Sequence, residues 1–194
     1  MSCYAHSLAA TRGFLSQGCV DLIREAVATL GSQPWVVDLG AGSGTTACAV
    51  WAERPDAGIT TIDTDAEALE WCRRNLQAAG FSTEPPRWQG YLKDSASAAA
   101  DFTLGDGWVD MLIVDADHTY EGVAADILAW VPKLKPDAPV FFHDYDAHDA
   151  PELYPGVKIA VDEAVERGDL VFVERRGWSA LCRKPLSPLR TSPS

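Results

Sequence analysis

Apolar residues along this chain fall into two alternating patterns. Val20, Leu22, Ile23, Val27 and Leu30 recur at helical spacing, and Gly31 closes that segment. The short apolar run Pro34-Trp35-Val36-Val37-Asp38 reads as a buried strand. Thr45 to Glu53 reads as a helix that stops before Pro55, and Gly58 to Asp63 as a strand rich in β-branched residues. Asp65 to Ala79 predicts a helix that opens on an acid and stops at Gly80. Arg87 to Leu92 predicts a strand, Ser95 to Phe102 a small-residue helix, and Val109 to Val114 a buried strand. Tyr120 to Leu134 predicts a helix ended by Lys133, Lys135 and Pro136; Val140 to Phe142 follows as a strand, and Val157 to Arg167 as a helix ending at Gly168. The runs Leu170–Glu174 and Trp178–Cys182 predict a hairpin turning through Arg175-Arg176-Gly177.

Strand–helix alternation with near-continuous apolar strands predicts an α/β fold: a parallel sheet covered on both faces, with the hairpin as an antiparallel edge. The expected organisation is an N-terminal helical segment (1–33), one α/β domain (34–183) and a Pro/Ser-rich tail (184–194). Ligands of such sheets sit at the carboxyl ends of the strands, so chemistry is to be sought in the residues that follow each strand.

Two stretches stand out there. The first is Asp38-Leu39-Gly40-Ala41-Gly42-Ser43-Gly44-Thr45, which leaves the first strand and opens a helix. Glycines let the backbone turn tightly and approach a ligand, and the helix N-terminus offers free amide donors. The spacing is GxGxG rather than the GxGxxG of dinucleotide folds, which disfavours a nicotinamide oxidoreductase. Asp63 ends the second strand, where an acid commonly accepts hydrogen bonds from a ribose diol. The second stretch joins Asp115-Ala116-Asp117-His118-Thr119-Tyr120-Glu121-Gly122, after the fourth strand, to Phe142-His143-Asp144-Tyr145-Asp146, after the fifth. Neighbouring strand ends should bring Asp115, Asp117, His118, His143 and Asp144 together. Converging carboxylates repel one another unless a positive charge lies between them, and a divalent cation is the simplest one. Carboxylates suit Mg²⁺, Ca²⁺ or Mn²⁺, and added imidazole widens the choice toward Mn²⁺, Fe²⁺ or Zn²⁺.

From Trp35 to Cys182 the chain resembles the class I S-adenosylmethionine-dependent methyltransferases. The resemblance implies a Rossmann-like doubly wound sheet of seven strands in the order 3-2-1-4-5-7-6, with strand 7 antiparallel. It implies that Asp38, Gly40, Gly42 and Gly44 hold the methionine part of the cofactor, that Asp63 takes the ribose, and that Asp94-Ser95 lies against the adenine; Asp115 borders the same cofactor site. The phrases around Asp115 and Asp144 are similar to the small bacterial O-methyltransferases of the catechol type and of the macrolide- and aminocoumarin-sugar type. That likeness implies a divalent metal, Mg²⁺ with Mn²⁺ or Fe²⁺ as alternatives, held by Asp115 and by His143-Asp144 or Asp144-Tyr145. It implies Asp117 or His118 as the catalytic base. His143 departs from the acidic and amide pairs of those relatives. The expected activity is methylation of a small-molecule hydroxyl; N- or C-methylation without a metal, and a non-catalytic S-adenosylmethionine-binding module, stand as alternatives.

Charge narrows the partners. With 16 Lys+Arg against 28 Asp+Glu, the chain of 194 residues carries a formal charge of −12, which disfavours a nucleic-acid backbone or an anionic membrane. No run approaches the about 18 apolar residues of a membrane span. Five scattered cysteines without a CxxC pair read as reduced thiols, and no signal peptide is visible, so a cytoplasmic protein is expected. The short N-terminal segment leaves little for a lid over the methyl acceptor, so a homodimer in which a second copy supplies it is a further expectation. Trp88, close to the adenine segment, is the tryptophan best placed to stack on a ligand, and Tyr145 and Tyr154 are placed to wall a substrate pocket.

Overall fold

Seven strands form one sheet: β1 (Trp35–Leu39), β2 (Gly58–Asp63), β3 (Trp88–Leu92), β4 (Met111–Val114), β5 (Pro139–Phe142), β6 (Val171–Arg176) and β7 (Ser179–Arg183). Their order is β3-β2-β1-β4-β5-β7-β6; β7 runs antiparallel to both its neighbours and the other pairs are parallel, as expected. These strands belong to a computed structural model that describes residues 15–102, 106–146 and 154–186. Among the described residues six α-helices accompany them: α1 (Gln17–Ala28), α2 (Thr45–Glu53), α3 (Ala66–Ala78), α4 (Ser95–Ala98), α5 (Tyr120–Trp130) and α6 (Pro155–Glu166).

Strand alternation divides the core into two layers. Val36, Ile59, Met111, Ile113 and Phe141 pack with α1, α2 and α3; Val37, Ile62, Leu112, Val114, Val140 and Phe142 pack with α5 and α6. Both faces are covered, which is why the strands read as unbroken apolar runs. Within the expected segment 1–33, α1 buries Cys19, Val20, Leu22, Ile23, Ala26 and Val27 and is one layer of this common core.

Local chemistry accounts for the departures from expectation. Pro132 lacks an amide donor, so the helix after β4 ends at Trp130 and passes into a 3₁₀ turn, Val131–Lys133. The small-residue helix is likewise α4 followed by a 3₁₀ turn, Ala99–Asp101. The hairpin turns two residues later than expected, at Gly177-Trp178, where Gly177 takes φ 60; Arg175 and Arg176 are strand residues, and Arg176 pairs with Glu25 of α1. Trp88 is a core residue, its Nε1 donating to Thr61 Oγ1 at 3.1 Å, and does not line the main cavity at the strand ends. Cys19, Cys72 and Cys182 are free, buried thiols, but Cys48 is disulfide-bonded, against the expectation of reduced cysteines throughout. Among the described residues no helix is long and apolar enough to cross a membrane. The expectations for residues 1–14, for His148 and for the tail beyond 186 lie outside the described residues.

Candidate functional site

The glycine loop is threaded between two strand ends. Gly40 donates its amide to Ile62 O at 2.8 Å, and a Cβ placed on it would come within 2.1 Å of Asp115 O. Gly40 also sits at φ 96, so glycine is required there twice over. Gly42 differs: at φ 43 its missing Cβ would project into open space beside the cavity. Asp63 Oδ2 accepts from Ala41 N and its Oδ1 from Asp65 N, both at 2.8 Å, which ties the loop to the end of β2 and fixes the carboxylate at the cavity wall.

The cavity has a volume of about 470 Å³, within the range of roughly 300–1,000 Å³ of small-molecule sites. Its walls are Gly40 and Gly42, Asp63 and Thr64 after β2, Lys93 to Ser95 after β3, and Asp115 to Asp117 after β4. A smaller cavity of about 70 Å³ lies along the loop, lined by Ser43, Thr45, Thr46 and His143; Gly40, Gly42 and Asp115 line both. Asp38 lines neither. It is fully buried behind the loop, where its Oδ2 accepts from Thr46 Oγ1 at 2.8 Å and its Oδ1 has no partner. Burial pushes its carboxyl up to about 8, which the Thr46 bond opposes and the Asp115 charge reinforces.

Four acid and histidine side chains meet beside the loop. The parallel register pairs Val114 with Phe142, and His143 N bonds to Val114 O, so the residues leaving β4 and β5 run side by side. Asp144 takes a left-handed backbone, φ 52, which an aspartate tolerates better than most residues. One ligand-type atom from each of Asp115, His118, His143 and Asp144 lies within 4.8 Å of all the others. His143 Nδ1 is 3.1 Å from Asp115 Oδ1 and 3.2 Å from Asp144 Oδ2; His118 Nε2 is 3.0 Å from Asp144 Oδ2 and 3.5 Å from Asp115 Oδ1. Buried His118 Nε2 is close to both carboxylates yet aligned as a hydrogen bond to neither. Asp117 stands apart from this quartet. It faces the large cavity and its Oδ1 accepts from Thr119 N at 2.8 Å, so of the five residues expected to converge the structure brings together four.

The family that matches this architecture, described as "Methyltransferase domain", covers residues 37–145, more than half of the chain. The chain belongs to the methyltransferase domain family. That family agrees with the resemblance carried by the glycine loop and Asp63. The chain is 28% identical to release factor glutamine methyltransferase of Streptomyces coelicolor over 169 residues, which is 79% of this chain and 55% of that protein. It thus spans about half the length of the curated relatives it matches. Among solved structures it resembles an O-methyltransferase from Bacillus cereus in complex with SAH (TM-score 0.75, 10% identity, 95% of this chain and 91% of that one). It also resembles the O-methyltransferase TomG from Streptomyces achromogenes, involved in tomaymycin synthesis and solved with SAM (TM-score 0.72, 13% identity, 95% and 87%). At these identities the shared property is the fold.

The quartet is electrostatically self-consistent. Burial pulls the His143 imidazole down, but Asp115 and Asp144 outweigh it and push it up to about 12; the same two acids hold His118 up at about 9. Burial would raise Asp115 and Asp144, and the two imidazoles outweigh it, holding both carboxyls below the usual range. Three residues near the site were not singled out as ligand contacts from the sequence. Thr64 and Lys93 line the cavity, and Asp126 lies behind Ser95. Tyr154 meets the His118 ring at 4.4 Å between centroids, as its expected place beside the strand-five loop suggests. Tyr145 is buried instead, its hydroxyl donating to Asp162 at 2.6 Å.

Proposed function

We propose that this methyltransferase transfers a methyl group to a hydroxyl of a small molecule with the help of a divalent cation. The observation that carries the proposal is the two-Asp, two-His quartet against the glycine loop, at the edge of the cavity that suits the cofactor. Its donor set fits a divalent ion: two carboxylates balance the charge, and a buried imidazole nitrogen without an aligned hydrogen bond is available to coordinate. Mixed carboxylate and imidazole donors favour Mn²⁺ or Fe²⁺ over the Mg²⁺ of an all-oxygen site.

When bound, S-adenosylmethionine supplies an electrophilic sulfonium methyl and the cation a Lewis acid that lowers the acceptor's pKa. The chain's own residues bind and orient. Asp63, already fixed by two backbone amides, keeps lone pairs for the ribose hydroxyls, and Asp94-Ser95 borders the adenine end. The bare backbone at Gly42 leaves room for the methionine part. Asp38 acts through Thr46 and shapes the loop from behind. His118 is committed to the quartet, so proton acceptance falls to Asp117 on the cavity wall. Alignment of the acceptor oxygen with the methyl is worth about 7–11 kcal/mol of barrier in well-oriented cases.

The test is calorimetry with S-adenosylhomocysteine, followed by methyl transfer to a panel of phenols, catechols and sugars with Mg²⁺, Mn²⁺ or Fe²⁺. Transfer that stops in EDTA and in Asp144→Asn, with cofactor binding intact, is the expected result. Transfer that survives both refutes metal assistance. A second reading rests on the curated relatives: they are named for glutamine methylation, and a glutamine-containing peptide belongs in the same panel. Its methylation in EDTA would decide for that reading.

A further inference from the structure

The buried face of α5 carries Val123, Asp126, Ile127 and Trp130, an apolar stripe interrupted by one acid. Asp126 is 1% exposed. Its Oδ1 accepts the Ser95 hydroxyl at 2.6 Å, and its Oδ2 has no hydrogen-bond partner. One turn further along, Trp130 Nε1 donates to Ser95 O at 2.8 Å. A single helix therefore grips Ser95 at two points, and Ser95 is part of the wall of the large cavity. The charged neighbours in that wall are otherwise engaged: Lys93 pairs with Asp101 at 2.7 Å, and Asp94 Oδ1 caps α4 through Ser97 N at 2.8 Å.

A serine hydroxyl has one proton to give. Here that proton is committed to a carboxylate that cannot give one back. Burial, reinforced by Asp94 and Asp117 and opposed by the Ser95 bond, pushes the Asp126 carboxyl up to about 6, so it is ionised and acceptor-only at mildly alkaline pH. The Ser95 oxygen then has only lone pairs to offer a ligand. An amino group satisfies such an oxygen, whereas a carbonyl oxygen in the same place meets lone pair against lone pair.

We infer that Asp126 locks Ser95 as a hydrogen-bond acceptor, so that the cofactor cavity selects a 6-aminopurine over a 6-oxopurine. This rests on the proposed placement of the adenine at Asp94-Ser95. Asp126 is a positioning residue: it touches Ser95 and not the ligand. Without it the Ser95 hydroxyl turns freely and donates to a carbonyl as readily as it accepts from an amine.

The test is calorimetry on the full chain at about pH 8, above the range in which Asp126 takes up its proton. The two ligands are S-adenosylhomocysteine and S-inosylhomocysteine, which differ at the purine 6 position. The wild type should prefer the adenosyl ligand by on the order of 10-fold, the worth of one hydrogen bond made or opposed. Asp126→Val, which suits its apolar surroundings, and Asp126→Ala as a second replacement should bring the ratio close to one while both ligands still bind. Ser95→Ala should do the same, and Ser95→Thr, which keeps the hydroxyl, should restore the preference. A merely structural role for Asp126 would weaken both ligands together and leave their ratio unchanged, which overturns the inference. Equal binding of the two ligands by the wild type overturns it as well. Failure of S-adenosylhomocysteine to bind the wild type overturns the cofactor placement itself.

Discussion

Two alanine substitutions in one loop should separate the energy of the fold from the energy of the ligand. At Gly40 the added methyl meets Asp115 O at 2.1 Å and its carbon at 2.7 Å. Both are backbone atoms, so no rotamer change relieves the contact. The residue also sits at φ 96, where an L side chain costs about 1–2 kcal/mol. Overpacking against a fixed neighbour adds about 1–3 kcal/mol. Alanine recovers about 0.4–1 kcal/mol through a stiffer unfolded chain. Gly40→Ala should therefore destabilise by about 1–5 kcal/mol, lowering Tm by about 2–18 °C for a chain of this size. At Gly42 only the backbone cost applies, because a Cβ there meets nothing within 4 Å. Gly42→Ala should melt within a few degrees of wild type, yet its methyl occupies cavity space and should weaken S-adenosylhomocysteine about 10-fold or more. Thermal melts followed by circular dichroism give the first quantity and calorimetric titration the second. A Gly40→Ala protein as stable as wild type, or a Gly42→Ala protein with wild-type affinity, refutes this account of the loop.

Two further predictions concern pH. Asp38 binds its proton more tightly folded, at about 8, than unfolded, near 3.8, so the native state holds a proton the unfolded chain lacks and stability falls as pH rises between those values; Asp38→Asn should remove that slope in a Tm-versus-pH series, and an unchanged slope would show that Asp38 is ionised in the fold. In protein freed of metal by EDTA, the raised histidines stabilise fully below pH 6.5 and His118 loses its share as pH rises through about 9, while the depressed Asp144 loses its share as pH falls below about 3.8. Tm of the metal-free protein should therefore fall from about pH 6.5 to 9, and His118→Gln should flatten that fall; a slope identical in the variant counts against the quartet as its source.

The frame of the fold was legible because its signals are local. Apolar runs, Pro55, Gly31 and Gly80 mark element ends in the sequence, and the bounds of α2 and β2 agree with expectation residue for residue. The misread features depend on contacts that no local pattern carries. The hairpin turn was placed on Arg175-Arg176 because paired arginines look solvated, but Arg176 is held by Glu25, far away in sequence. Trp88 is placed close to the adenine segment in sequence, which makes it look available to a ligand, but its indole is fixed by Thr61 on the neighbouring strand. Asp117 leaves the same strand end as Asp115, so convergence of the strand ends groups it with the quartet, yet the turn into α5 uses its carboxylate on Thr119 N and it lines the large cavity instead. Asp126 left a signal that was readable in principle: an acid inside the i, i+3, i+4, i+7 stripe Val123, Asp126, Ile127, Trp130.

The acidity of the strand ends follows from these contacts. Between Asp110 and Glu152 ten acids face two lysines. Asp110 pairs with Lys135 and Trp35 N, Asp137 with Arg183, and Asp146 with Arg175, so a share of the excess is ordinary ion pairing across the sheet edge. Asp126 is paired with a hydroxyl and Asp117 with a backbone amide. What remains concentrated is Asp115 and Asp144 against His118 and His143. The formal charge of −12 counts those histidines as neutral. Two protons on the imidazoles, or one divalent cation between neutral imidazoles, bring the quartet to the same net charge of about zero. The metal-free and metal-bound states are therefore electrostatic equivalents. Loading the proposed cation should therefore release protons in proportion to the histidines it displaces them from.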